Sequence, residues 1–479
     1  MYSDDDKIRE KTENVSDTDY RTVWRQDYAR LIHCPSFRRL QGKTQLFPAS
    51  ETDFFRNRLT HSLEVAQIAK SIALKINKAY KVEIDLDLVE FAALAHDLGH
   101  PPFGHQGEEA LDECMVDYGG YEGNAQTLRI LSKIEKKNNN GFLDENQYDN
   151  RVGLNLCYRT LASILKYNEV IPLRKDSREQ RRIEKNQSSI RPVKGIYKSE
   201  ENLVKKIKKG VTGGKAFNPS IFKTIECQIM DIADDISNST YDLEDVLKAG
   251  FFTPYDFLYA TNDLIDKIRD DIANDKDVKH ELEAADKTLT SEAIRAVLKN
   301  IFGKVLELEV PDFIPETNEE MQDYFEYVNK LSYQASNEIV ENGYNRVELT
   351  SGLINDFISG VEFKIDRNIP ALSKVKLKLE TRIQVEILKR FTYQVQILSP
   401  KLKIAEFRGK DIVKKVFEAL NGPNGHELLP KDYRELYHEA KDDRKRIICD
   451  FIAGMTDKYL IEFYGRLTSE RPETIFKPI

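Results

Sequence analysis

Apolar residues recur along this chain at the three- and four-residue spacing of amphipathic helices. The longest such stripe lies in one segment and comprises Leu63, Ala66, Ile68, Ala69, Ile72, Ala73 and Ile76. An unbroken apolar run over 91–95 predicts a buried helix, and a further helix is predicted over 225–247. Amphipathic segments then alternate with short loops over 257–273, 291–308, 318–339, 349–361, 372–395 and 447–464. The pattern predicts an all-α fold.

The chain divides into three predicted parts. Residues 1–20 are polar and are expected to form a flexible N-terminal segment. Residues 21–250 hold the densest groups of titratable side chains and form the predicted core. Within this core, 174–215 is rich in Lys, Arg, Glu and Ser, and is predicted to be a mobile basic insertion or a lid. The helices of 251–479 are expected to complete the pocket of the core and to supply subunit contacts.

Composition narrows the class of protein. Charged residues make up 32% of the chain and hydrophobic residues 40%, which is ordinary for a soluble globular protein. Because eighteen consecutive apolar residues occur nowhere, we expect no membrane span. The acidic N-terminus lacks the apolar segment of a secretory signal. The five cysteines are scattered without a C-x-x-C pair, which favours a reducing cytoplasm and argues against a cysteine-based zinc site.

Net charge bears on the partner. The formal charge is −8, whereas a nucleic-acid-binding protein usually has a net basic face. A small polyanionic substrate needs only a local basic pocket, so the global charge favours a small substrate. The basic run over 174–215 leaves single-stranded nucleic acid open as a further partner.

The densest chemistry lies in residues 96–109, which hold three of the eight histidines and three carboxylates. This segment directly follows the buried helix predicted over 91–95. Burying a carboxylate beside imidazoles is unfavourable unless something compensates its charge, and a divalent metal ion suits both kinds of ligand. We therefore predict that His96 and Asp97 bind a metal ion. A structural metal site, or histidines on a surface loop, are the alternatives.

The rest of this segment predicts an acid–base pair. Glycine and proline residues break the helix after Asp97 and leave His100 on a turn. His105 and Glu108 are three residues apart and share a face of the next helix. A carboxylate that fixes the tautomer of an imidazole suits it to proton transfer near neutral pH. We predict His105 and Glu108 as this pair, with His100 as a second acid or a hydrogen-bond donor to phosphate.

Two further positions follow from their place on helices. Leu59 opens the predicted helix with the long apolar stripe, and Arg58 directly before it is expected to project near the same end. A guanidinium beside a helix N-terminus is well placed to bind a phosphate. A surface arginine is the alternative. On the helix of 225–247, Asp234, Asn238 and Asp242 recur every four residues and share one face. A carboxylate on a helix that otherwise faces the core is a candidate metal ligand.

Six segments, in this order, resemble the motifs of one known family. They are 37–45 (FRRLQGKTQ), 57–65 (NRLTHSLEV), 96–109 (HDLGHPPFGHQGEE), 121–126 (YEGNAQ), 233–236 (ADDI) and 450–457 (DFIAGMTD). The chain resembles the deoxynucleoside triphosphate triphosphohydrolases of the HD-domain superfamily, the group called deoxyguanosinetriphosphate triphosphohydrolase-like. An ordered set of motifs is more specific than any one of them.

The resemblance implies an all-α HD-domain core with additional C-terminal helices, and it implies a role for each matching residue. The implied metal ligands are His61, His96, Asp97 and Asp234, with Asp234 favoured over Asp235. The implied substrate-binding residues are Gln45, Arg58, Asn124, Lys166, Lys194, Asn238 and Asp242. Gln45 and Asp242 would contact the sugar, and the lysines and Asn124 the phosphates. Many relatives have a tyrosine where this chain has Asn238, so its sugar contacts are expected to differ.

The implied activity is hydrolysis of dGTP or several dNTPs to a deoxynucleoside and inorganic triphosphate. Two imidazoles and two carboxylates suit Mn²⁺, Mg²⁺, Fe²⁺ or Ni²⁺ and do not choose among them. The alternatives are another HD-type phosphohydrolase, such as a 5′-nucleotidase or a phosphodiesterase, and a non-catalytic regulator that binds nucleotide or single-stranded nucleic acid. A homo-oligomer is expected, since several relatives form hexamers. The expected location is the cytoplasm.

Overall fold

The computed structural model describes residues 1–13, 20–46, 55–137, 149–184, 191–219, 222–250, 252–303, 317–398, 400–440 and 443–468. Over these residues the chain forms twenty-one α-helices and one two-stranded sheet. The prediction of an all-α fold is confirmed. Among the described helices, none combines the length and the apolar character that crossing a membrane requires.

The chain forms two compact units. The first consists of 1–233, 363–375 and 401–479, and the second of 234–362 and 376–400. The predicted parts 21–250 and 251–479 do not coincide with these units, because the chain returns to the first unit after residue 362 and again after residue 400.

The first unit holds most of the helices. They are α1 (Val23–His33), α2 (Pro35–Arg39), α3 (Arg58–Tyr80), α4 (Leu86–Ala95), α5 (Gly104–Cys114), α6 (Gly123–Arg129), α7 (Tyr158–Ala162), α8 (Lys175–Glu184), α9 (Glu201–Thr212), the part of α10 (Ile225–Lys248) up to residue 233, α18 (Pro400–Asn421) from residue 401, α19 (Lys431–Glu439), α20 (Arg444–Ala453) and α21 (Asp457–Thr468). Helix α10 continues without a break across the boundary between the units, and α18 begins at a boundary.

Helices α3 and α4 pack together and form the centre of the first unit. The predicted stripe of α3 is buried from Ala66 to Ile76, whereas its first predicted residue, Leu63, is 51% exposed. Helix α4 is buried almost completely. Asn57 begins α3, because its side chain accepts hydrogen bonds from the backbone N–H groups of Leu59 and Thr60. The two helices place His61, one turn into α3, and His96, directly after α4, on the same core.

The N-terminal residues are folded where the sequence predicted a flexible segment. The Tyr2 ring lies 5.6 Å from that of Trp24, and the Tyr2 hydroxyl donates to Glu226. Asp6 is buried, and Arg9 forms an ion pair with Asp27 at 2.5 Å. These contacts hold the polar N-terminal residues against the rest of the first unit. Several of them are made by charged side chains, and a pattern of hydrophobic residues does not reveal such contacts. Residues 14–19 of the predicted segment lie outside the described residues.

The second unit is built from α11 (Pro254–Leu258), α12 (Asn262–Ala273), α13 (Lys276–Ala284), α14 (Ser291–Gly303), α15 (Asn318–Glu341), α16 (Gly343–Ser359) and α17 (Leu379–Leu398). Its core contains an aromatic cluster, in which the Phe257 ring lies 4.8 Å from those of Phe302 and Phe391. The predicted helix of 291–308 is described only to residue 303.

Three predicted helices differ in the structure. The segment 372–395 begins with a strand, since β1 (Val361–Lys364) pairs with β2 (Lys374–Leu377), and helix α17 follows. In β2 the buried Val375 and Leu377 alternate with exposed lysines, which is the period of a strand rather than a helix. The segment 447–464 is interrupted after Ala453, so α20 and α21 are separate helices. The apolar pattern of 154–167 also predicts a helix that ends at Lys166 and Tyr167, whereas α7 spans only Tyr158–Ala162.

The basic segment 174–215 contains α8 and α9. Helix α9 packs against α7 and buries Leu203, Val204 and Ile207. Before it, the backbone of Ile196 bonds to that of Glu169 and Ile171. Residues 185–190 lie outside the described residues, and the lid function of this segment stays a prediction.

Candidate active site

His96 stands at the end of α4 with one ring nitrogen committed to the backbone. Its Nδ1 lies 2.6 Å from the Ala93 carbonyl oxygen, which requires the proton on Nδ1. Nε2 then carries the lone pair that can bind a metal ion. A backbone carbonyl behind a histidine is the usual support of a metal-binding imidazole.

Three of the predicted ligands come together. His61, His96 and Asp234 each offer one ligand atom, and these atoms lie within 4.8 Å of one another. The two imidazole rings have centroids 5.5 Å apart, and His61 is buried. Two nitrogen ligands and a carboxylate at this spacing suit a divalent cation, so the donor set fits the metal ion that the sequence predicted.

Asp97 adjoins this group and is the most heavily paired carboxylate of the site. Its Oδ2 accepts a hydrogen bond from Arg58 at 2.6 Å, and its Oδ1 lies 2.9 Å from Nδ1 of His100 and 3.4 Å from Nε2 of His96. Burial opposes the charge of Asp97, yet His100, His96 and Arg58 hold its pKa well below the usual range. The carboxylate is therefore ionised, as a metal ligand must be. Its predicted ligand role stays a prediction.

Arg58 thus has a structural partner where the sequence predicted a phosphate contact. The Arg58–Asp97 pair is buried on both sides, with 6% of each side chain exposed. Burial and the positive charge of Arg58 also lower the pKa of His100, which favours its neutral form. In the neutral form Nδ1 has the proton and faces the Asp97 carboxylate, so Nε2 is a hydrogen-bond acceptor, and the predicted role of His100 as an acid or donor needs the protonated ring.

The turn between His96 and α5 depends on close backbone packing. A Cβ on Gly99 would collide with the carbonyl oxygen of Gly123, so only glycine fits there. The Tyr121 hydroxyl donates to the Gly99 carbonyl at 2.6 Å. The turn ends at Phe103 and Gly104, which both have left-handed backbone conformations with φ of 62° and 57°.

His105 and Glu108 face each other on α5, as predicted. Nδ1 of His105 lies 3.4 Å from Oε2 of Glu108. The His105 side chain is 78% exposed while that of Glu108 is 4% exposed, so a buried carboxylate supports an accessible imidazole. The ring centroids of His100 and His105 are 5.9 Å apart. This arrangement can deliver or remove a proton near the predicted metal group.

Glu108 is held from its other side. Its Oε1 accepts a hydrogen bond from the Gly123 N–H at 2.8 Å and lies 3.8 Å from Nζ of Lys194. Burial raises the pKa of Glu108, but Lys194 and His105 outweigh it and keep the pKa below its usual range. Glu108 is therefore a carboxylate at neutral pH.

Lys194 and Asn124 converge on one carboxylate that the sequence analysis did not single out. Oε1 of Glu122 lies 2.9 Å from Nζ of Lys194 and accepts from the Asn124 side chain at 2.7 Å. Its other oxygen caps α6 through the Ala125 N–H. The signal was present, since a carboxylate directly before a helix is a typical N-cap.

The other predicted substrate residues lie at separate places. Lys166 shares the Asp231 carboxylate with Lys223. The Asn238 amide donates to Asp234 at 2.9 Å, which supports a predicted ligand directly. Asp242 is half-buried two turns later on α10. Gln45 is half-buried, and its Oε1 has no hydrogen-bond partner among the described residues.

Two family models match the sequence. The HD domain matches residues 58–156, the range that contains His61, His96, Asp97, His105 and Glu108. The phosphohydrolase-associated domain matches residues 375–466. A deoxyguanosinetriphosphate triphosphohydrolase-like protein 2 of Mesorhizobium japonicum is 41% identical over 500 aligned positions, which cover all of both chains.

The chain belongs to the deoxyguanosinetriphosphate triphosphohydrolase-like family. Other members are 32% identical in Aliivibrio salmonicida and 30% identical in Shewanella sediminis, where the alignments cover 94% of this chain and 93% and 92% of those proteins. The resemblance drawn from six ordered motifs is therefore confirmed. The residues described above as a candidate site lie in segments that match this triphosphohydrolase-like family.

Proposed function

We propose that this protein is a metal-dependent hydrolase that converts a deoxynucleoside triphosphate to the deoxynucleoside and inorganic triphosphate. The observation that carries the proposal is the group of His61, His96 and Asp234, in which His96 is linked through Asp97 and His100 to the His105–Glu108 pair. The relatives' names, which contain deoxyguanosinetriphosphate triphosphohydrolase, support the substrate class.

His61, His96, Asp234 and Asp97 would hold the metal ion. Two of them have a neighbour that suits them to this role, the Ala93 carbonyl for His96 and the Asn238 amide for Asp234. A bound divalent ion would act as a Lewis acid that activates water and offsets phosphate charge.

His105 and Glu108 would move the proton. Water attacks the α-phosphorus, the bond from phosphorus to the 5′-oxygen breaks, and the leaving 5′-oxygen takes up a proton. The exposed imidazole of His105 would supply this proton, and Glu108 would hold the ring in the correct tautomer. His100, paired with Asp97 through Nδ1, would donate a hydrogen bond from Nε2 to a phosphate oxygen once its ring is protonated, which a nearby phosphate charge favours.

Basic side chains would offset the triphosphate charge. Lys194 lies between Glu122 and Glu108, and the Lys166–Lys223 pair shares a single carboxylate. The shared carboxylate of Asp231 places the two ammonium groups side by side, which would suit a phosphate with more than one negative charge. Lys223 was not singled out in the sequence, and it joins the proposed phosphate-binding residues through this pairing. Arg58 would act through Asp97.

Gln45 and Asp242 would meet the deoxyribose, and a tight fit around C2′ would reject ribonucleotides. Many relatives have a tyrosine at the position of Asn238. The Asn238 amide donates to Asp234, so Asn238 would affect sugar binding only indirectly, through Asp234.

The test is product analysis by chromatography, with each of the four dNTPs and GTP in the presence of Mn²⁺ or Mg²⁺. Deoxynucleoside together with intact triphosphate supports the proposal and ranks the bases. Monophosphate with pyrophosphate, or orthophosphate from a monophosphate, would indicate one of the other HD-type phosphohydrolases. Absence of turnover with every ion would favour a binding protein, and salt-dependent binding of single-stranded DNA would then be measured. Light scattering of the same sample tests the predicted homo-oligomer.

A further inference from the structure

Asp457, the first residue of α21, joins two distant segments of the first unit. Its Oδ2 accepts hydrogen bonds from the Thr44 backbone N–H at 2.9 Å and from the Thr44 hydroxyl at 2.6 Å. Its Oδ1 accepts from the Phe103 backbone N–H at 3.0 Å. One carboxylate thus fixes the residue before Gln45 and the residue two positions before His105.

Lys43 joins the same two segments independently. Its side chain is buried, and its ammonium group donates to the His100 carbonyl at 2.5 Å and to the Ala453 carbonyl at 2.9 Å. Close packing follows the same line, because a Cβ on Gly42 would lie 2.7 Å from Cγ2 of Thr456. The end of α20 and the start of α21 therefore hold the segment 42–44 against the turn that carries His100.

The turn itself needs such support. Phe103 and Gly104 are consecutive left-handed residues, and this conformation is unfavourable for a bulky side chain such as that of Phe103. Strained backbone persists where surrounding contacts determine it. The hydrogen bond from the Phe103 N–H to Asp457 is one such contact, and α5 with His105 begins directly after it.

We propose that Asp457 is a positioning residue that sets Gln45 and His105 relative to each other. It does so through backbone groups and touches neither substrate nor metal ion. This inference rests on the proposed function, because the roles of Gln45 at the sugar and of His105 at the leaving oxygen come from it. Asp457 would therefore control both the preference for deoxyribose and the rate of proton transfer.

The variant that tests this is Asp457→Asn. An amide has one acceptor oxygen, and its NH₂ group would meet an N–H donor, so one of the two connections must break whichever way it turns. We expect kcat to fall about ten- to hundredfold, because small displacements of reacting groups have effects of this size. The preference for dGTP over GTP, measured as a ratio of kcat/KM values, should fall about tenfold for the same reason. That ratio does not depend on how much of the sample is folded.

Two further variants sharpen the test. Thr44→Val removes only the hydroxyl donor and leaves the Phe103 connection, so we expect a higher KM and a lower deoxyribose preference with kcat unchanged. Glu462→Gln removes the same charge from the exposed side of α21 and should leave every parameter unchanged.

Hydrogen exchange supplies a readout that needs no turnover. In Asp457→Asn the amides of Thr44, Phe103 or both should exchange faster, and in Glu462→Gln neither should. If the wild type releases deoxynucleoside and the Asp457 variant keeps its kcat and deoxyribose preference, the inference fails while the proposed function stands. If the wild type releases none, the proposed function fails and unchanged exchange at both amides would overturn the inference. If Asp457→Asn does not fold, Thr44→Val decides, and an unchanged deoxyribose preference there would overturn it.

Discussion

Neighbouring groups set the tautomer or the charge of several side chains in the proposed chemistry. The Ala93 carbonyl determines the tautomer of His96, and Arg58 with His100 keeps Asp97 ionised. Glu108 is kept ionised by Lys194 while it faces His105. Changes at these residues should therefore alter the proposed proton transfer or ligand binding without changing the fold.

Glu108→Gln should lower kcat at least about a hundredfold, which is the usual size of an acid–base contribution. With its oxygen on the Gly123 N–H, the amide would turn its NH₂ toward Nδ1 of His105 and favour the opposite tautomer. Steady-state kinetics together with metal analysis check this, and metal content should stay at the wild-type level. Glu113→Gln on the same helix, where Glu113 pairs with Lys410 at 2.8 Å, is the matched control. Equal activity of the two variants would contradict the role of Glu108.

Lys43 predicts a pH dependence of stability. Burial, with Arg39 and Arg58 nearby, lowers the pKa of Lys43 from 10.5 to about 7. Between these values the unfolded chain binds a proton that the folded chain has released, so the free energy of unfolding rises with pH above about 7. The slope from this group is at most about 1.4 kcal/mol per pH unit.

Lys43→Met should remove this slope. Urea unfolding at pH 7, 8 and 9 gives the difference in free energy of unfolding between the two proteins, and wild type should gain relative to the variant as pH rises. A difference that stays constant across this range would show that Lys43 is protonated in the folded protein throughout.

At the level of elements, the geometry of helix α10 directs the adjacent carboxylates of Asp234 and Asp235 toward different partners. Asp234 lies in the group with His61 and His96, while Asp235 forms an ion pair with Lys389 at 2.6 Å. Successive residues on a helix point about 100° apart, so only one of the two can face the proposed metal ion.

Asp234→Asn should therefore lower metal content and activity together, whereas Asp235→Asn should retain both. Elemental analysis of purified protein and titration with Mn²⁺ measure the metal, and the two variants have the same charge. If only the Asp235 variant lost the metal ion, Asp235 rather than Asp234 would be the ligand, which would contradict the proposed site.

The long elements could be predicted from the sequence and several short ones could not. Helices α3 and α10 carry apolar periods over more than twenty residues, which specify a helix strongly. Strand β2 has only four residues. Its alternation of apolar and polar side chains is too short to be separated from the helical pattern of α17, which begins two residues later. The same reason applies to the candidate site. His96, Asp97, His105 and Glu108 could be predicted because they are close in sequence and form a local pattern. The contact of Thr44 with Asp457 spans 413 positions and had no local signal.

At the level of the whole molecule, an acidic chain is proposed to bind a polyanion. The formal charge of −8 is compatible with this because a small polyanion needs only local cations, and Lys166 and Lys223 meet at the single carboxylate of Asp231. Family membership covers the full length of the chain, so the C-terminal helices belong to the same protein type as the HD domain. The contacts of Asp457 give those helices a specific part in the proposed chemistry.

The most direct test of the central claim is hydrolysis of dGTP with Mn²⁺ in water labelled with ¹⁸O, followed by mass spectrometry of the products. Attack of water at the α-phosphorus with release of the 5′-oxygen predicts the label in intact triphosphate and none in deoxyguanosine. Label in deoxyguanosine, or products that are deoxyguanosine monophosphate and pyrophosphate, would contradict the account.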